Sequence, residues 1–298
     1  MSKRWKIAGV VLALILMLWC VAGYVGARIA LTPNEKKIES RETIASKKVN
    51  DVTIRTEDGL NISAWYIENS PDRAVVFLPG INACRTQFVS RAEFYLGLGY
   101  SVLMPDFRAT GRSEGKYVSI GWNERKDLIA CMKFLREKGY AHIGAQGISM
   151  GAATICYTLK DVNDYAFVVL ESSYDTMEHA LNNRMDLRGI PHFVAYPMRW
   201  FAEILIGTSI NTMRPMEFIK FCKAPTFVMG GDSEGFLKLA ETQSIYDNCP
   251  AEKKRLYIFK GGTHENFLRK YPDEFKKELT SFLEDVSASW SAPRKNAA

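Results

Sequence analysis

Six short, largely apolar runs recur along the chain: "AVVFLPG" from Ala74, "SVLMPDF" from Ser101, "HIGAQG" from His142, "AFVVLESS" from Ala166, "PTFVMGG" from Pro225 and "RLYIFKGG" from Arg255. A strand that is apolar at consecutive positions has no solvent face, so both of its faces must be covered. Segments of helical period lie between the runs. In "NERKDLIACMKFLREKG", Leu128, Met132 and Leu135 share one face and Gly139 closes the segment; in "YPDEFKKELTSFLEDV", Phe275, Leu279, Phe282, Leu283 and Val286 form a second apolar stripe. Ahead of them, "DVTIRTEDGLNISAWYIE" holds two alternating runs about Asp58-Gly59, a hairpin signal. A hairpin followed by repeated strand-helix units folds as a mostly parallel sheet wrapped by helices. The expected class is α/β, with eight strands.

The N-terminus sets a second constraint. No charge occurs from Ile7 to Ala27, and Lys3, Arg4 and Lys6 precede that run. At about 1.5 Å per residue the run spans about 30 Å, the thickness of a bilayer core. Trp5, Trp19 and Tyr24 suit the interfaces. The expectation is a cytoplasmic segment 1–6, a single transmembrane anchor over 7–27 and an extracytoplasmic domain in the cell membrane. A cleaved secretory signal is the alternative, with "VAG" or "VGA" as its cleavage triplet. Residues 28–50, with "PNEKKIESRETIASKK" at their centre, read as a linker, 51–287 as the folded domain and 288–298 as a flexible tail.

Net charge is +6, much of it in the termini and linker, and the domain has no Lys/Arg block with interleaved aromatics. That composition argues against nucleic acid as a partner. The six cysteines, at 20, 84, 131, 156, 222 and 249, form no C-x-x-C. No metal or cofactor motif is found, so no metal and no cofactor are expected. Cys222 and Cys249 each precede a strand, the seventh and the eighth. They could form a disulfide in an extracytoplasmic domain or stay free thiols.

Gly147-Ile148-Ser149-Met150-Gly151 fits G-x-S-x-G and sits between a strand candidate and a helix candidate, "MGAATICYTLK". A sharp strand-to-helix turn lifts a serine hydroxyl off the sheet toward a cleft, which makes Ser149 a candidate nucleophile. A serine needs a base. His264, in "KGGTHENF" after the last strand, lies at the right edge of the sheet and last in the chain. His142 starts the nucleophile strand at the far end, and His179 and His192 fall in the irregular stretch 175–222, read as a helical cap. Asp106 and Arg108 in "DFRATGRS" read as a charged turn that orders its loop.

These motifs, with "FLPGINACR", "DFRATGRSEG" and "SIGWNERKDL", resemble the α/β-hydrolase superfamily from about Val52 to Val286. The chain looks most like small-cap, often membrane-anchored bacterial hydrolases related to the serine aminopeptidase and BEM46-like groups. The resemblance implies an α/β-hydrolase fold with a small helical cap and an oxyanion hole from the backbone N–H groups of Met150 and Ile81. Relatives often have His-Gly before that second donor, where this chain has Pro79-Gly80. It also implies an acid in the loop after the seventh strand, Gly230-Gly231-Asp232-Ser233-Glu234-Gly235. Relatives usually read G-x-x-D there, which selects Glu234, with Asp232 as the alternative and Glu171 behind both.

The expected function is a serine hydrolase that cleaves an ester, thioester or amide through an acyl-enzyme, acting on a small-molecule or lipid-like acyl substrate. An esterase or lipase-like role is favoured by the aromatic cap. The rivals are a peptidase of the same fold and an inactive binding protein.

Overall fold

The computed structural model describes residues 3–33, 38–162, 164–264 and 266–290. The sheet strands are β1 (Asn50–Arg55), β2 (Asn61–Ile67), β3 (Arg73–Leu78), β4 (Ser101–Pro105), β5 (His142–Ile148), β6 (Phe167–Glu171), β7 (Thr226–Gly231) and β8 (Lys254–Phe259). Their order is β8-β7-β6-β5-β3-β4-β2-β1. β2 runs antiparallel to both of its neighbours and every other pairing is parallel. This is the α/β-hydrolase arrangement expected from the sequence, with all eight strands present.

Ten helices accompany the sheet among the described residues: α1 (Lys3–Leu31), α2 (Val89–Gly97), α3 (Glu124–Glu137), α4 (Met150–Thr158), α5 (Met177–Asp186), α6 (Tyr196–Ile206), α7 (Pro215–Phe218), α8 (Leu239–Asn248), α9 (Phe267–Lys270) and α10 (Pro272–Ser287). The pleat divides each strand between two cores. Ala74, Val76 and Leu78 of β3 join one cluster with Leu128, Met132 and Leu135 of α3 and Ile155 of α4. Val75 and Phe77 join the other, with Tyr95 of α2 and Phe275, Leu279 and Phe282 of α10. Both faces of the strand are therefore dry, which is why it reads as a continuous apolar run. The two helical stripes read from the sequence are the faces that α3 and α10 bury.

Between β6 and β7, α5, α6 and α7 with intervening 3-10 turns form the cap. α1 runs beside it. Ala27 and Leu31 are buried with Ala202 and Ile206 of α6, Tyr24 meets Phe201 edge-on at 5.4 Å, and the Trp19 indole N–H donates to Val194 O at 3.0 Å. A Cβ on Gly23 would lie 2.4 Å from Pro197 Cβ, so only glycine admits so close a helix approach.

Two regions differ from expectation. The helix extends to Leu31, and the stretch read as a linker carries Ile38, Ile44 and Val49 into the core beside a small hairpin of Thr43–Ile44 with Lys47–Lys48. Isolated apolar residues can fill a gap without any periodicity that would announce them. In the expected tail, Trp290 stacks on His142 at 4.2 Å; 291–298 lie outside the described residues, as do 1–2 of the N-terminal segment and 34–37 of the linker. Of the two alternatives for Cys222 and Cys249, free thiols are found, both buried, with Cys222 Sγ 3.3 Å from Thr226 Oγ1.

Candidate active site

β5 ends on Ile148 and α4 begins on Met150, which leaves Ser149 alone in the turn at φ 55°, ψ −112°. A β-carbon in this region is strained, and such strain persists only where its surroundings over-determine it. Here they do. A Cβ at Gly147 would lie 2.3 Å from the Gly151 carbonyl carbon, and one at Gly151 would lie 1.9 Å from Leu78 O. The two glycines of the motif are small because strand, turn and helix touch there. Ser149 N donates to Glu171 O at 2.8 Å, which ties the turn to β6.

His264 and Ser149 line the same cleft, of about 230 Å³, together with Gly80, Ile81, Gln87 and Phe236. His264 Nδ1 is 2.7 Å from Glu234 Oε2. The Glu234 side chain is 1% exposed and its other oxygen accepts from Ser172 Oγ at 2.6 Å and from Gly231 N at 3.0 Å. A carboxylate held on both oxygens presents a fixed face to the imidazole, and leaves Nε2 to point away from it. Asp232 turns outward, where it accepts from Gly261 N at 2.7 Å and from Ser233 Oγ. Glu171 is engaged elsewhere, with Arg91 at 2.9 and 2.5 Å and Gln146 at 2.6 Å. The remaining histidines are also occupied: His179 with Asp175, His192 with Asp186, and His142 with Trp290.

The Pro79-Gly80 loop is pinned by Gly80 N donating to Gln87 Oε1 at 2.9 Å. A Cβ on Gly80 would lie 3.8 Å from Ser149 Cβ, so this loop abuts the serine. Ile81 and Met150, the expected oxyanion donors, are the residue after that glycine and the first residue of α4. Asp106 accepts from Arg85 and from Arg112 N, and Arg108 pairs with Asp127 and Asp58. Both hold loops below the cleft.

Sequence reasoning missed four residues. Ser172, at φ 49°, and Gln87 hold the acid and the loop. Phe236 packs on the His264 ring at 4.6 Å, and the Arg184 guanidinium of α5 lies 4.5 Å from the centroid of that phenyl ring. Only the "SS" after β6 carried any signal, as the polar end of an otherwise apolar run. The others are brought in by the cap and by loops whose course no local pattern states.

A model of the X-Pro dipeptidyl-peptidase (S15) family matches residues 32–185. Among curated relatives, the uncharacterized protein YqkD of Bacillus subtilis is 24% identical over 78% of each chain. An uncharacterized membrane protein of Saccharomyces cerevisiae, YNL320W, is 21% identical over 72% of this chain and 73% of its own length. Among solved structures, the esterase Pf2001 of Pyrococcus furiosus superimposes with a TM-score of 0.72 at 27% identity, over 86% of this chain and 99% of that one.

Proposed function

The chain belongs to the X-Pro dipeptidyl-peptidase (S15) family of α/β-hydrolases, and from that premise we propose that this hydrolase is a serine esterase with Ser149 as nucleophile, His264 as base and Glu234 as the acid that orients it. One observation carries the reading: a serine in a strained turn shares a cleft with a histidine whose far nitrogen is held by a buried carboxylate. Ser149 Oγ attacks the acyl carbon while His264 Nε2 takes its proton. The N–H groups of Met150 and Ile81 stabilise the oxyanion. The alcohol leaves with the proton from His264. Water then repeats the sequence, releasing the acid and restoring the serine.

A peptidase is the second reading, favoured by the family description. Against it stands the charge in the cleft. Removal of a dipeptide requires recognition of a free ammonium group, yet the described lining offers the Arg184 cation and no carboxylate. Likeness to the Pf2001 esterase supports the ester. Labelling by a fluorophosphonate, with Ser149→Ala as control, tests the nucleophile; comparing p-nitrophenyl butyrate with Ala-Pro-p-nitroanilide separates the two substrates. An unlabelled wild-type protein sinks the serine hydrolase and leaves an inactive binding protein.

We read α1 as a retained membrane anchor over 7–27, bearing an extracytoplasmic hydrolase domain over 51–287 with its cap at 175–222. Cleavage after either triplet would remove the Trp19 bond to Val194 O and the close approach of Gly23 to Pro197, which supports retention. The three cations before the span favour an inside N-terminus. Protease added to intact spheroplasts should degrade the domain; full protection reverses the topology.

A further inference from the structure

α1 and the cap enclose a second space. Trp19 and Gly23 form one wall, and Met185, Val194 and Met198 the other, of an apolar groove of about 390 Å³. Arg184 lines both this groove and the cleft that holds Ser149 and His264. Arg188 and Arg199 stand at the groove as well. Arg184 is partly buried and donates to Ala180 O, and burial pulls its pKa below the usual arginine value. Among the described residues it has no carboxylate at ion-pair distance. Glu241 offsets its charge only through space and not through a salt bridge, and an anionic ligand in contact would offset the desolvation further.

Depth supplies the second argument. If 7–27 crosses the hydrocarbon, the nine residues from Trp19 to Ala27 cover about 13 Å of it. That part of α1 is packed on α6, and Trp19 is bonded to Val194 O. The side of the cap that packs on α1, α6 with the turn at Val194, must then lie at or within the bilayer. Its outward side chains suit that position: Phe193, Val194, Tyr196, Trp200 and Ile204 are all exposed, Trp200 by 58%. An apolar patch continuous with a span is a membrane-facing surface rather than a flaw in a soluble domain.

We propose that the groove admits the acyl chain of an anionic glycerophospholipid directly from the bilayer, with Arg184 attracting the net negative charge of the headgroup while the acyl ester meets Ser149. This inference rests on the readings of Ser149 as an acyl-hydrolase nucleophile and of α1 as a retained anchor. The step is ester hydrolysis: one water is consumed, and a fatty acid and a lysophospholipid are released.

The test uses the full chain reconstituted in vesicles of phosphatidylcholine with a fluorogenic long-chain phosphatidylglycerol, assayed beside soluble p-nitrophenyl butyrate. Wild-type protein should cleave both. Phe193→Asp and Trp200→Asp, which line neither space, should keep the soluble ester within about twofold. They should lose about tenfold or more on the vesicle ester, because a carboxylate resists the hydrocarbon. Val194→Asp should lower the vesicle-to-soluble ratio by a similar factor. Arg184→Gln should remove a preference for phosphatidylglycerol over a fluorogenic phosphatidylcholine. Retained soluble activity shows that the Phe193 and Trp200 variants are folded, and circular dichroism with denaturant unfolding checks the Val194 and Arg184 variants, whose side chains line the two spaces. Cleavage of the soluble ester alone by wild type, or equal loss on both esters in the cap variants, overturns the inference and leaves the esterase reading standing. Equal wild-type rates on the two lipid headgroups overturn the anionic assignment. A wild-type protein inactive on both esters overturns the esterase reading and this inference with it.

Discussion

The sheet domain and the cap-anchor unit treat apolar side chains in opposite ways. Phe77 of β3, Phe227 of β7 and Phe282 of α10 are buried, whereas Phe193, Tyr196 and Trp200 of the cap are more than half exposed. Among the described residues, every exposed large apolar side chain except Phe221 and Leu239 belongs to α1 or lies between 187 and 204. The same driving force operates in both regions, but on the proposed anchor reading the solvent differs. Around the sheet, water expels apolar area into two cores. Around α1 and the cap, the pattern fits hydrocarbon, where an outward Trp or Phe costs nothing. The cleft lies between the two regimes, with a floor made by the sheet and a wall, at Arg184, made by the cap.

The contrast can be broken by measurement, and the largest effects belong to the floor. Ser149→Ala should lower kcat for p-nitrophenyl butyrate by about 10⁶-fold with unfolding unchanged. Residual turnover near wild type would remove Ser149 from the mechanism. Glu234→Gln should lower kcat by about 10⁴-fold, while Asp232→Asn, which alters a surface contact, stays within a few-fold. The reverse ranking would reassign the acid. Phe77→Ala, in the dry core, should cost about 3–5 kcal/mol in denaturant unfolding. Gly23→Leu would force α1 from Pro197 and should cost about 1–3 kcal/mol in detergent, with faster proteolysis of the cap. A silent Gly23→Leu would mean that α1 and the cap are energetically independent. Phe193→Ala should change stability by no more than about 0.5 kcal/mol. A core-sized loss there would erase the distinction between the regions.

How much of this was legible beforehand varies by region. Six strands were readable because parallel strands covered on both faces leave continuous apolar runs, and the antiparallel pair β1 and β2 was readable as an alternating hairpin. The stripes of α3 and α10 were readable because helical period is a local property. The turn bearing Ser149 was legible for the same reason, since its two glycines report contacts made within a few residues and with the adjacent strand. The supposed linker was misjudged because Ile38, Ile44 and Val49 fill gaps whose other walls come from distant elements. Ser172, Gln87, Phe236 and Arg184 carried little or no signal, since each acts through a partner remote in sequence.

By itself, then, the sequence determined the class of fold, the uncharged span, the turn bearing Ser149 and the histidine that follows the last strand, because each is written in local periodicity or in chain order. With the family resemblance it ranked three carboxylates for the acid, Glu234, then Asp232, with Glu171 behind both. Only the tertiary structure decided which one meets His264: the loop after β7 sends Asp232 out to Gly261 N and folds Glu234 inward beneath Ser172. The same holds for Arg184 and for α1 against the cap. Those juxtapositions depend on how elements far apart in the chain pack, and a packing distance leaves no period in a sequence.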